Sequence, residues 1–322
     1  MQKIPLIVVV GATASGKTSL AVNIAKKFDG EVISADSMQI YKHMEIATAK
    51  PTLEEMQGVN HHLIDFLELT EKFSVADYVK LAKEKINEVI KNKKIPIIAG
   101  GTGLYISSLI DNIQFNEVKT DVKLRQELYD FAKINGANAL WKKLFEIDEE
   151  SALQIHENNI PRVARAIEIY KLTGVKMCQH KKNSKMVESE YNALKIGINY
   201  KNREILYDRI NKRVEIMLEK GLIDEAKEIL KDKNLVSENT AFQAIGYKEL
   251  LPYFNGEISL QTAVNNIKQE SRHYAKRQLT WFRRDENIKW FYPDDENKNE
   301  NLQEMQKNIH FYIDNFFKMC YD

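Results

Sequence analysis

Three short runs rich in apolar residues lie in the first third of the chain, and a glycine or an acidic residue closes each of them. They are Pro5–Val10, Glu31–Asp36 and Ile95–Gly100. Such runs suit strands that are covered on both faces of a parallel sheet. The amphipathic spacing of Ser19–Phe28 and Val75–Lys91 predicts a helix after the first strand and another before the third. Strands that alternate with helices predict an α/β fold with a mostly parallel sheet.

The periodicity changes after residue 115, where Lys, Glu, Leu and Ala recur at helical spacing as far as Gly174. A polar stretch, Gln179–Glu190, follows it. We therefore predict a core whose first part is residues 1–115, a mainly helical insertion over 116–190, and the rest of the core with a helical C-terminal part over 191–322. In this last part the pattern predicts strands at Leu194–Ile198 and Ile288–Tyr292, helices over Asn202–Lys220 and onward to Arg284, and a solvated turn at Asp294–Glu300.

Composition excludes several classes of protein. The 322 residues carry a formal net charge of +1, so any nucleic-acid site must arise from local clustering of charge. Cys178 and Cys320 are far apart and outside any CxxC pair, which excludes a zinc finger or a disulfide framework and favours a reducing compartment. The apolar run Ile4–Val10 is too short to span a membrane and leads into glycine-rich sequence, unlike a signal peptide. We expect a cytoplasmic protein.

The segment after the first strand matches the phosphate-loop (P-loop) pattern G-x-x-x-x-G-K-[ST] in full. Its residues are Gly11, Ala12, Thr13, Ala14, Ser15, Gly16, Lys17 and Thr18. The position between a strand and a helix argues against a chance glycine-rich turn. Backbone N–H groups and the helix N-terminus would surround phosphate oxygens, Lys17 would reach the terminal phosphate, and Thr18 would supply a hydroxyl ligand to Mg²⁺. The motif predicts phosphate binding.

The residues at the ends of the other strands indicate which phosphate chemistry is involved. Nucleoside triphosphatases usually hold their metal with an aspartate at the end of an apolar strand. Here the strand at Ile95 instead runs into Gly100–Gly103, where Thr102 offers a hydroxyl, although a tight turn alone would also explain the glycines. Asp36 ends the second strand and would share the ligand crevice with the phosphate loop. Its alternative role is to cap a turn.

Nine segments together resemble the tRNA dimethylallyltransferase family, whose members are also called tRNA isopentenyltransferases. In chain order they are Gly11–Thr18, Asp36–Tyr41, Thr48–Pro51, His61–Asp65, Phe73–Tyr78, Gly100–Tyr105, Ile160–Arg165, Gly246–Glu249 and Ala275–Arg283. The resemblance covers nearly the whole chain. It departs from the family pattern at Ala12, where proline is usual, and at His43 and Ala47, where glycine is usual.

The resemblance implies transfer of a dimethylallyl group from its diphosphate to N6 of the adenine immediately 3′ of the anticodon, with Mg²⁺ and a monomeric enzyme. Asp36 would take the proton of the amine, and Thr102 would orient the amine or a donor oxygen. Lys17, the loop amides and Thr18 with Mg²⁺ would stabilise the leaving diphosphate. An arginine from the helix after Asn202 would also reach the diphosphate. Arg209 is the better match and Arg213, one turn later, is the alternative, unless both belong to a solvated helix face.

A basic segment near the C-terminus suits contacts with the anticodon stem-loop of tRNA. Lys268, Arg272, Lys276 and Arg283 fall on one helical stripe and Arg277 and Arg284 on a second, with Tyr274, Trp281 and Phe282 between them. The alternative is a solvated helix with buried aromatic residues. With the residues that resemble the family's RNA contacts, the predicted tRNA-binding set is Asp36, Ser37, Met38, Gln39, Thr102, Ile160, Pro161, Arg162, Val163, Ala164, Arg165, Lys276, Arg277, Gln278 and Arg283.

Three other functions compete with this interpretation. A nucleoside or nucleotide kinase would share the phosphate loop and the sheet but leave Asp36, Thr102 and the basic C-terminal part unexplained. A prenyltransferase acting on free AMP would need neither the insertion nor the basic helix. An RNA-binding module without chemistry would leave the loop without a purpose. His61 and His62 are adjacent, so on a strand they point to opposite faces, which predicts a structural role for them and not a metal site.

Overall fold

A computed structural model describes residues 3–113, 121–184, 187–232, 235, 239–295 and 302–321. The chain divides into two compact units. The first consists of Met1–Ile110 with Glu190–Asp322, and the second of Asp111–Ser189. Both parts of the first unit build a single sheet, so the second unit is inserted between two stretches that fold together.

Strands and helices alternate through the first unit. The strands are β1 (Ile4–Gly11), β2 (Gly30–Ser34), β3 (His61–His62), β4 (Ile95–Gly100), β5 (Tyr191–Ile198) and β6 (Lys289–Phe291). In chain order the helices are α1 (Lys17–Phe28), α2 (Leu53–Met56), α3 (Val75–Lys91), α4 (Gly103–Ile110), α5 (Val122–Asn135), α6 (Ala137–Ile147), α7 (Glu149–Gln154), α8 (Ile160–Thr173), α9 (Met177–Ser184), α10 (Arg203–Glu219), α11 (Leu222–Leu230), α12 (Tyr247–Phe254), α13 (Leu260–Phe282) and α14 (Leu302–Tyr321), with a 3₁₀ turn at Ala241–Gln243. Helices α5 to α9 belong to the second unit.

The sheet is parallel throughout and has the strand order β3-β2-β4-β1-β5-β6. This confirms the predicted α/β fold with a parallel sheet. In the register, Val10 faces Gly100 of β4, and Gly11 faces Ile198 of β5. The loops after β1, β2 and β4 therefore leave the same edge of the sheet, where ligands bind in open α/β folds.

Burial on both faces explains why β1 has no polar alternation. Leu6 and Val8 pack into a core with α3 and α4, whereas Ile7 and Val9 pack against α1 and α14 on the other face. Each of these four side chains is fully buried. A polar residue at any of them would lose its hydration without a partner, so both sides of the strand must be apolar.

A separate helical layer packs beside the sheet. Tyr41 and Met44, from the segment after β2, share a core with Val214 of α10, Tyr247 of α12 and Ile267 of α13. A smaller cluster joins Ala12 of the phosphate loop to α10 and α13. The layer thus brings two helices of the C-terminal part against the loop.

Several elements differ from the sequence-based expectation. Helix α14 was not predicted, and α9 extends into the polar stretch Gln179–Glu190, for which we predicted no separate element. Strand β5 begins three residues before the predicted start, and β2 ends two residues before Asp36. The expected turn is present at Asp294 but is not fully solvated, because Asp294 is half-buried and accepts hydrogen bonds from the N–H groups of Lys201 and Asn202. Residues 296–300 lie outside the described part of the chain.

The second unit has its own core. Leu140 and Leu144 of α6 pack against Val163 and Ile167 of α8, and all four are fully buried.

No helix in the part of the chain that the structure describes is both long and apolar enough to cross a membrane.

A single carboxylate organises the segment that follows β2. Glu225 of α11 accepts hydrogen bonds from the N–H groups of Glu45 at 2.8 Å, Ile46 at 2.7 Å and Ala47 at 2.9 Å, and from the hydroxyl of Tyr247 at 2.8 Å. Three successive amides that converge on one anion form a charge-assisted cradle. Glu225 therefore fixes a loop that has no regular structure of its own.

We predict that Glu225→Ala lowers the free energy of unfolding by about 2–4 kcal/mol, since it leaves four donors without their acceptor. Urea denaturation would measure the loss, and hydrogen exchange should accelerate at the amides of Glu45–Ala47. The control is Glu228→Ala on the same helix, which removes an exposed ion pair with Lys231 and should change stability by less than about 0.5 kcal/mol. Equal effects of the two substitutions would contradict the prediction.

Candidate active site

The phosphate loop has the backbone geometry that its glycines allow. Strand β1 ends at Gly11 and α1 begins at Lys17, with Gly16 as a left-handed N-cap at φ 99°. A side chain at Gly11 would collide with the carbonyl oxygen of Ile198 on β5. A phosphate bound by this loop would therefore lie at the N-terminus of α1, where N–H groups and the helix dipole favour an anion.

Two helices of the C-terminal part hold this loop through its backbone. Gln278 of α13 accepts a hydrogen bond from the N–H of Thr13 at 2.8 Å. From α10, Arg209 donates to the carbonyl oxygen of Ala14 at 3.0 Å. Lys17 donates to the carbonyl of Ala12 at 2.6 Å. The loop is thus fixed before any ligand binds.

A cavity of about 260 Å³ opens beside the loop, and its walls belong entirely to the first unit. The charged side chains that line it, among the residues that the structure describes, are Lys17, Asp36, Arg213, Lys248 and Arg277. Four cations and one carboxylate suit an anion with more than one negative charge.

Another part of the wall is apolar. Val214 and Met217 of α10, Leu222 of α11, Ile245 and Ile267 line it. The same cavity can therefore accept a ligand that has a charged group and a small hydrocarbon group.

The protein compensates the cations beside the loop only in part. Burial, together with the positive charge of Arg213, lowers the pKa of Lys17 to about 8, while Asp36 acts in the opposite direction. Burial also lowers the pKa of Arg213, against the opposing effects of Asp36 and Glu55. Two buried side chains of the same positive charge, Lys17 and Arg213, favour the binding of an anion.

The structure distinguishes the two arginines proposed for the diphosphate. Arg213 lines the cavity with Lys17. Arg209 lies on an exposed surface, where it contacts the loop carbonyl and the ring of Tyr200, 5.2 Å from the guanidinium carbon to the ring centroid. This placement favours Arg213, the alternative in the sequence-based prediction, as the arginine that meets the ligand.

Asp36 both caps a turn and reaches the cavity. Its Oδ1 accepts hydrogen bonds from the N–H groups of Met38 at 2.9 Å and Gln39 at 3.3 Å. The carboxylate also lines the cavity with Lys17. The two interpretations of Asp36 are therefore compatible, because the turn fixes the direction of the carboxylate.

Thr102 contacts the neighbour of Asp36. Its hydroxyl oxygen accepts from the N–H of Ser37 at 3.0 Å and donates to Ser37 Oγ at 3.3 Å. Ser37 lines the cavity, whereas Thr102 is not among the described residues of its wall. The contacts give Thr102 a positioning role, and a direct contact between Thr102 and a ligand stays a prediction.

Gln39 is oriented by the loop that Glu225 holds. Its Nε2 donates to the carbonyls of Thr48 at 3.3 Å and Ala49 at 3.2 Å. Its Oε1 lies 3.4 Å from Ser34 Oγ, which donates to it. Since both amide hydrogens are engaged, Gln39 has an acceptor to offer to a ligand in the cavity.

The aromatic residues of α13 do not form the predicted stacking surface. Phe282 is buried in the sheet core, and Trp281 packs against that core while donating to Ser107 Oγ at 3.2 Å. Tyr274 lines the cavity, where burial raises its pKa. The alternative of buried aromatic residues is correct for Trp281 and Phe282.

The basic residues of α13 divide into two groups. Lys268 pairs with Glu215 at 2.7 Å, and Arg272 donates to Asn211 at 2.7 Å, so both bind α10. The others are exposed along the second half of the helix and just after it. They are Lys276, Arg277, Arg283 and Arg284.

The predicted RNA contacts in the second unit open α8. Asn159 caps this helix, and Pro161 lies in its first turn. Val163 and Ala164 are fully buried, and Arg165 pairs with the buried Glu168 at 2.8 Å. The exposed members of the set are therefore Pro161 and Arg162.

The protein offers few ligands for a metal ion by itself. No cluster of three or more His, Cys, Asp or Glu that could hold an ion is present in the described ranges. Near the loop, the donors on the cavity wall are the hydroxyl of Thr18 and the carboxylate of Asp36. A divalent ion fits here when phosphate oxygens complete its shell. His62 hydrogen-bonds Glu31 at 2.7 Å, in keeping with a structural role.

Comparisons with known proteins agree with each other. A family model described as IPP transferase matches residues 39–285. The tRNA dimethylallyltransferase of Thermoanaerobacter sp. (strain X514) is 47% identical over 311 residues, which cover 96% of this chain and 98% of that protein. The enzyme of the same name from Bacillus subtilis (strain 168) is 49% identical over 289 residues, which cover 90% and 91%.

Solved structures give the same result. The full-length tRNA isopentenylpyrophosphate transferase from Bacillus halodurans has a TM-score of 0.73 and 43% identity, with 99% of this chain and 98% of that chain covered. A eukaryotic dimethylallyltransferase acting on tRNA has a TM-score of 0.80 and 29% identity, with 97% and 80% covered. The similarity extends over nearly the whole chain.

We predict that Arg213→Gln weakens the binding of inorganic pyrophosphate about 10- to 100-fold, because it removes a charge-assisted contact in a desolvated site. Arg209→Gln is the matched variant, one turn away on the same helix, and should weaken binding less than about threefold. Isothermal titration calorimetry would measure both. A larger loss in Arg209→Gln would restore Arg209 as the ligand-binding arginine.

Pyrophosphate binding should also weaken as the pH rises through about 8, the lowered pKa of Lys17, since the neutral amine no longer attracts the anion. Binding would then require proton uptake, which calorimetry in buffers of different ionisation enthalpy detects. Lys17→Arg keeps its charge over this range and should show only the pH dependence of pyrophosphate itself. Identical profiles for the two proteins would exclude Lys17 as the titrating group.

Proposed function

The chain belongs to the IPP transferase family, and on this basis we propose that it transfers a dimethylallyl group from dimethylallyl diphosphate to an adenine of tRNA. The acceptor would be N6 of the adenine immediately 3′ of the anticodon. The observation that carries the proposal is one cavity that combines the cations Lys17 and Arg213, the carboxylate of Asp36 and an apolar wall. Each part of that cavity has a role in a prenyl transfer.

The transfer makes one C–N bond and breaks one C–O bond. The adenine N6 lone pair attacks C1 of the dimethylallyl group, and the electron pair of the C1–O bond leaves with the diphosphate. The amine gives up a proton, which Asp36 accepts. An exocyclic amine conjugated with a purine is a poor nucleophile, so a carboxylate held ready by the N–H groups of Met38 and Gln39 is useful.

The phosphate loop stabilises the leaving group. Negative charge grows on the diphosphate as the C1–O bond breaks, and Lys17, Arg213 and the helix N-terminus already face it. The apolar part of the cavity wall, which includes Val214 and Ile267, would enclose the hydrocarbon chain. We propose that Thr18 and diphosphate oxygens hold Mg²⁺, which would supply further positive charge to the leaving group.

We propose that the anticodon stem-loop contacts the exposed residues Lys276, Arg277 and Arg283 of the first unit. Independently, we propose Arg162 of the second unit as a residue that contacts tRNA. The acceptor adenine would leave its stack to enter the cavity. Gln39, which offers an acceptor, would distinguish an amine from a carbonyl at the purine edge. We also propose a cytoplasmic location and a monomeric enzyme; Cys178 and Cys320 are far apart in the sequence and outside any CxxC pair, which suits a reducing compartment.

The competing functions find less support. The named relatives that match nearly the whole chain are enzymes of tRNA, which favours tRNA over free AMP as the acceptor. A nucleoside or nucleotide kinase would leave the segment around Thr102 and the basic C-terminal part unexplained. An RNA-binding module without chemistry would leave the phosphate loop, with Lys17 on the cavity wall, without a purpose.

The test is incubation of the protein with unmodified tRNA and labelled dimethylallyl diphosphate, followed by mass spectrometry of the digested RNA. We expect one adenine per acceptor tRNA to gain the dimethylallyl group. Asp36→Asn keeps the turn acceptor but is a far weaker base, so turnover should fall about 10²- to 10⁴-fold with the tRNA dissociation constant unchanged. Consumption of nucleoside triphosphate without alkylated RNA would refute the function, and normal turnover of Asp36→Asn would refute the base.

A further inference from the structure

Gln278 is buried near the C-terminal end of α13, although the two residues before it face solvent. Its side chain is 5% exposed, whereas the preceding residues Lys276 and Arg277 are exposed. Such a position cannot present an amide to RNA at the surface. The predicted RNA contact of Gln278 therefore needs a different explanation.

The two ends of the Gln278 amide bind two separate turns. Oε1 accepts from the N–H of Thr13 at 2.8 Å, and Nε2 donates to the carbonyl of Gly101 at 3.1 Å. Thr13 belongs to the phosphate loop after β1, and Gly101 to the turn after the neighbouring strand β4. One planar group thus spans the two strand ends that form the cavity edge.

The turn after β4 is shaped to receive this amide. A β-carbon at Gly101 would collide with Gln278 Nε2, so the contact requires glycine. A glutamine amide offers an acceptor and a donor on separate atoms of one planar group, and asparagine is shorter by one methylene. The pair Gly101–Gln278 is therefore specific for a backbone-to-backbone bridge.

The bridge continues as far as Asp36. Thr102 follows Gly101, its N–H donates to the carbonyl of Ala35, and its hydroxyl accepts from the N–H of Ser37. Ala35 and Ser37 flank Asp36. A continuous set of hydrogen bonds therefore runs from the phosphate loop through Gln278 to the residues on either side of the carboxylate.

We propose that Gln278, which also lines the cavity, is a positioning residue for the transfer, because its amide sets the separation between the phosphate loop and the Asp36 carboxylate. The role rests on the proposed function. In a displacement, the donor carbon and the amine must meet within a few tenths of an ångström, and a misplacement of about 1 Å can cost about 10²-fold in rate. The two halves of the site are held by different turns, so a group that joins them controls the rate.

The experiment compares Gln278→Met, which keeps the length and removes both hydrogen bonds, with Gln269→Met, an exposed glutamine on the same helix. We expect Gln278→Met to lower kcat about 10- to 100-fold at saturating donor and tRNA, with the tRNA dissociation constant within about threefold of the original. Gln269→Met should leave both values unchanged. A weaker tRNA affinity with unchanged kcat would show instead that Gln278 contacts RNA and would overturn the proposal.

Gly101→Ala provides a second test that leaves Gln278 intact. The added methyl group displaces Nε2, so the loss in kcat should match that of Gln278→Met, and the double variant should lose little more. Additive losses of kcat would show that Gly101 and Gln278 act independently. A normal kcat at temperatures where the variants are folded would show a role in stability alone. Either result would refute positioning.

Hydrogen exchange separates this proposal from the function itself. In Gln278→Met, the N–H of Thr13 should lose protection while the N–H of Leu20 in α1 keeps it. That measurement needs no turnover. If the unmodified protein transfers no prenyl group, the proposed function fails; if Thr13 stays protected in Gln278→Met, the bridge fails, whatever the activity.

Discussion

The parallel pairing of β1 with β4 is the constraint on which the site depends. Its register places Gly100 opposite Val10, so the glycine turns that follow the two strands emerge side by side at one edge of the sheet. Strand pairing makes the phosphate loop and the segment around Thr102 neighbours, and the Gln278 amide then bridges them. Once they are adjacent, β2, the next strand along, brings Asp36 to the same edge. The chemistry is a consequence of strand order.

The second determinant is charge that the fold leaves unbalanced. Lys17 and Arg213 are desolvated together, which costs free energy in the empty protein and is recovered when a polyanion enters. Helices α10 and α13 hold the backbone of the loop through Arg209 and Gln278. A site organised in this way needs little rearrangement as the diphosphate leaves.

Local signals predicted the parts of the structure that local sequence determines. The strands around Val8 and Ile98 and the phosphate loop could be identified because burial on two faces and the glycine spacing leave clear patterns. The sequence could not distinguish Arg213 from Arg209, since helical spacing places both on a similar face of α10. Only the packing of α10 shows which arginine lines the cavity. The partners of Gln278 are 265 and 177 residues away, and no periodicity reports such contacts. The prediction of a stacking surface at Trp281 and Phe282 was wrong for the same reason, because the contacts that bury these residues are with segments far away in the sequence.

The place of β5 in the sheet has a consequence for how the protein is made. All eight residues of β1 pair with β5, which the ribosome synthesises only after the entire second unit. Until then the edge of β1 that faces away from β4 has no neighbouring strand, and Gly11 lacks the strand that packs closely against it. A nascent chain therefore carries the complete P-loop sequence long before it has the wall beside that loop. Strand β1 therefore lacks one neighbouring strand until residue 198 has been made, and the cavity wall is incomplete until translation has passed Gln278.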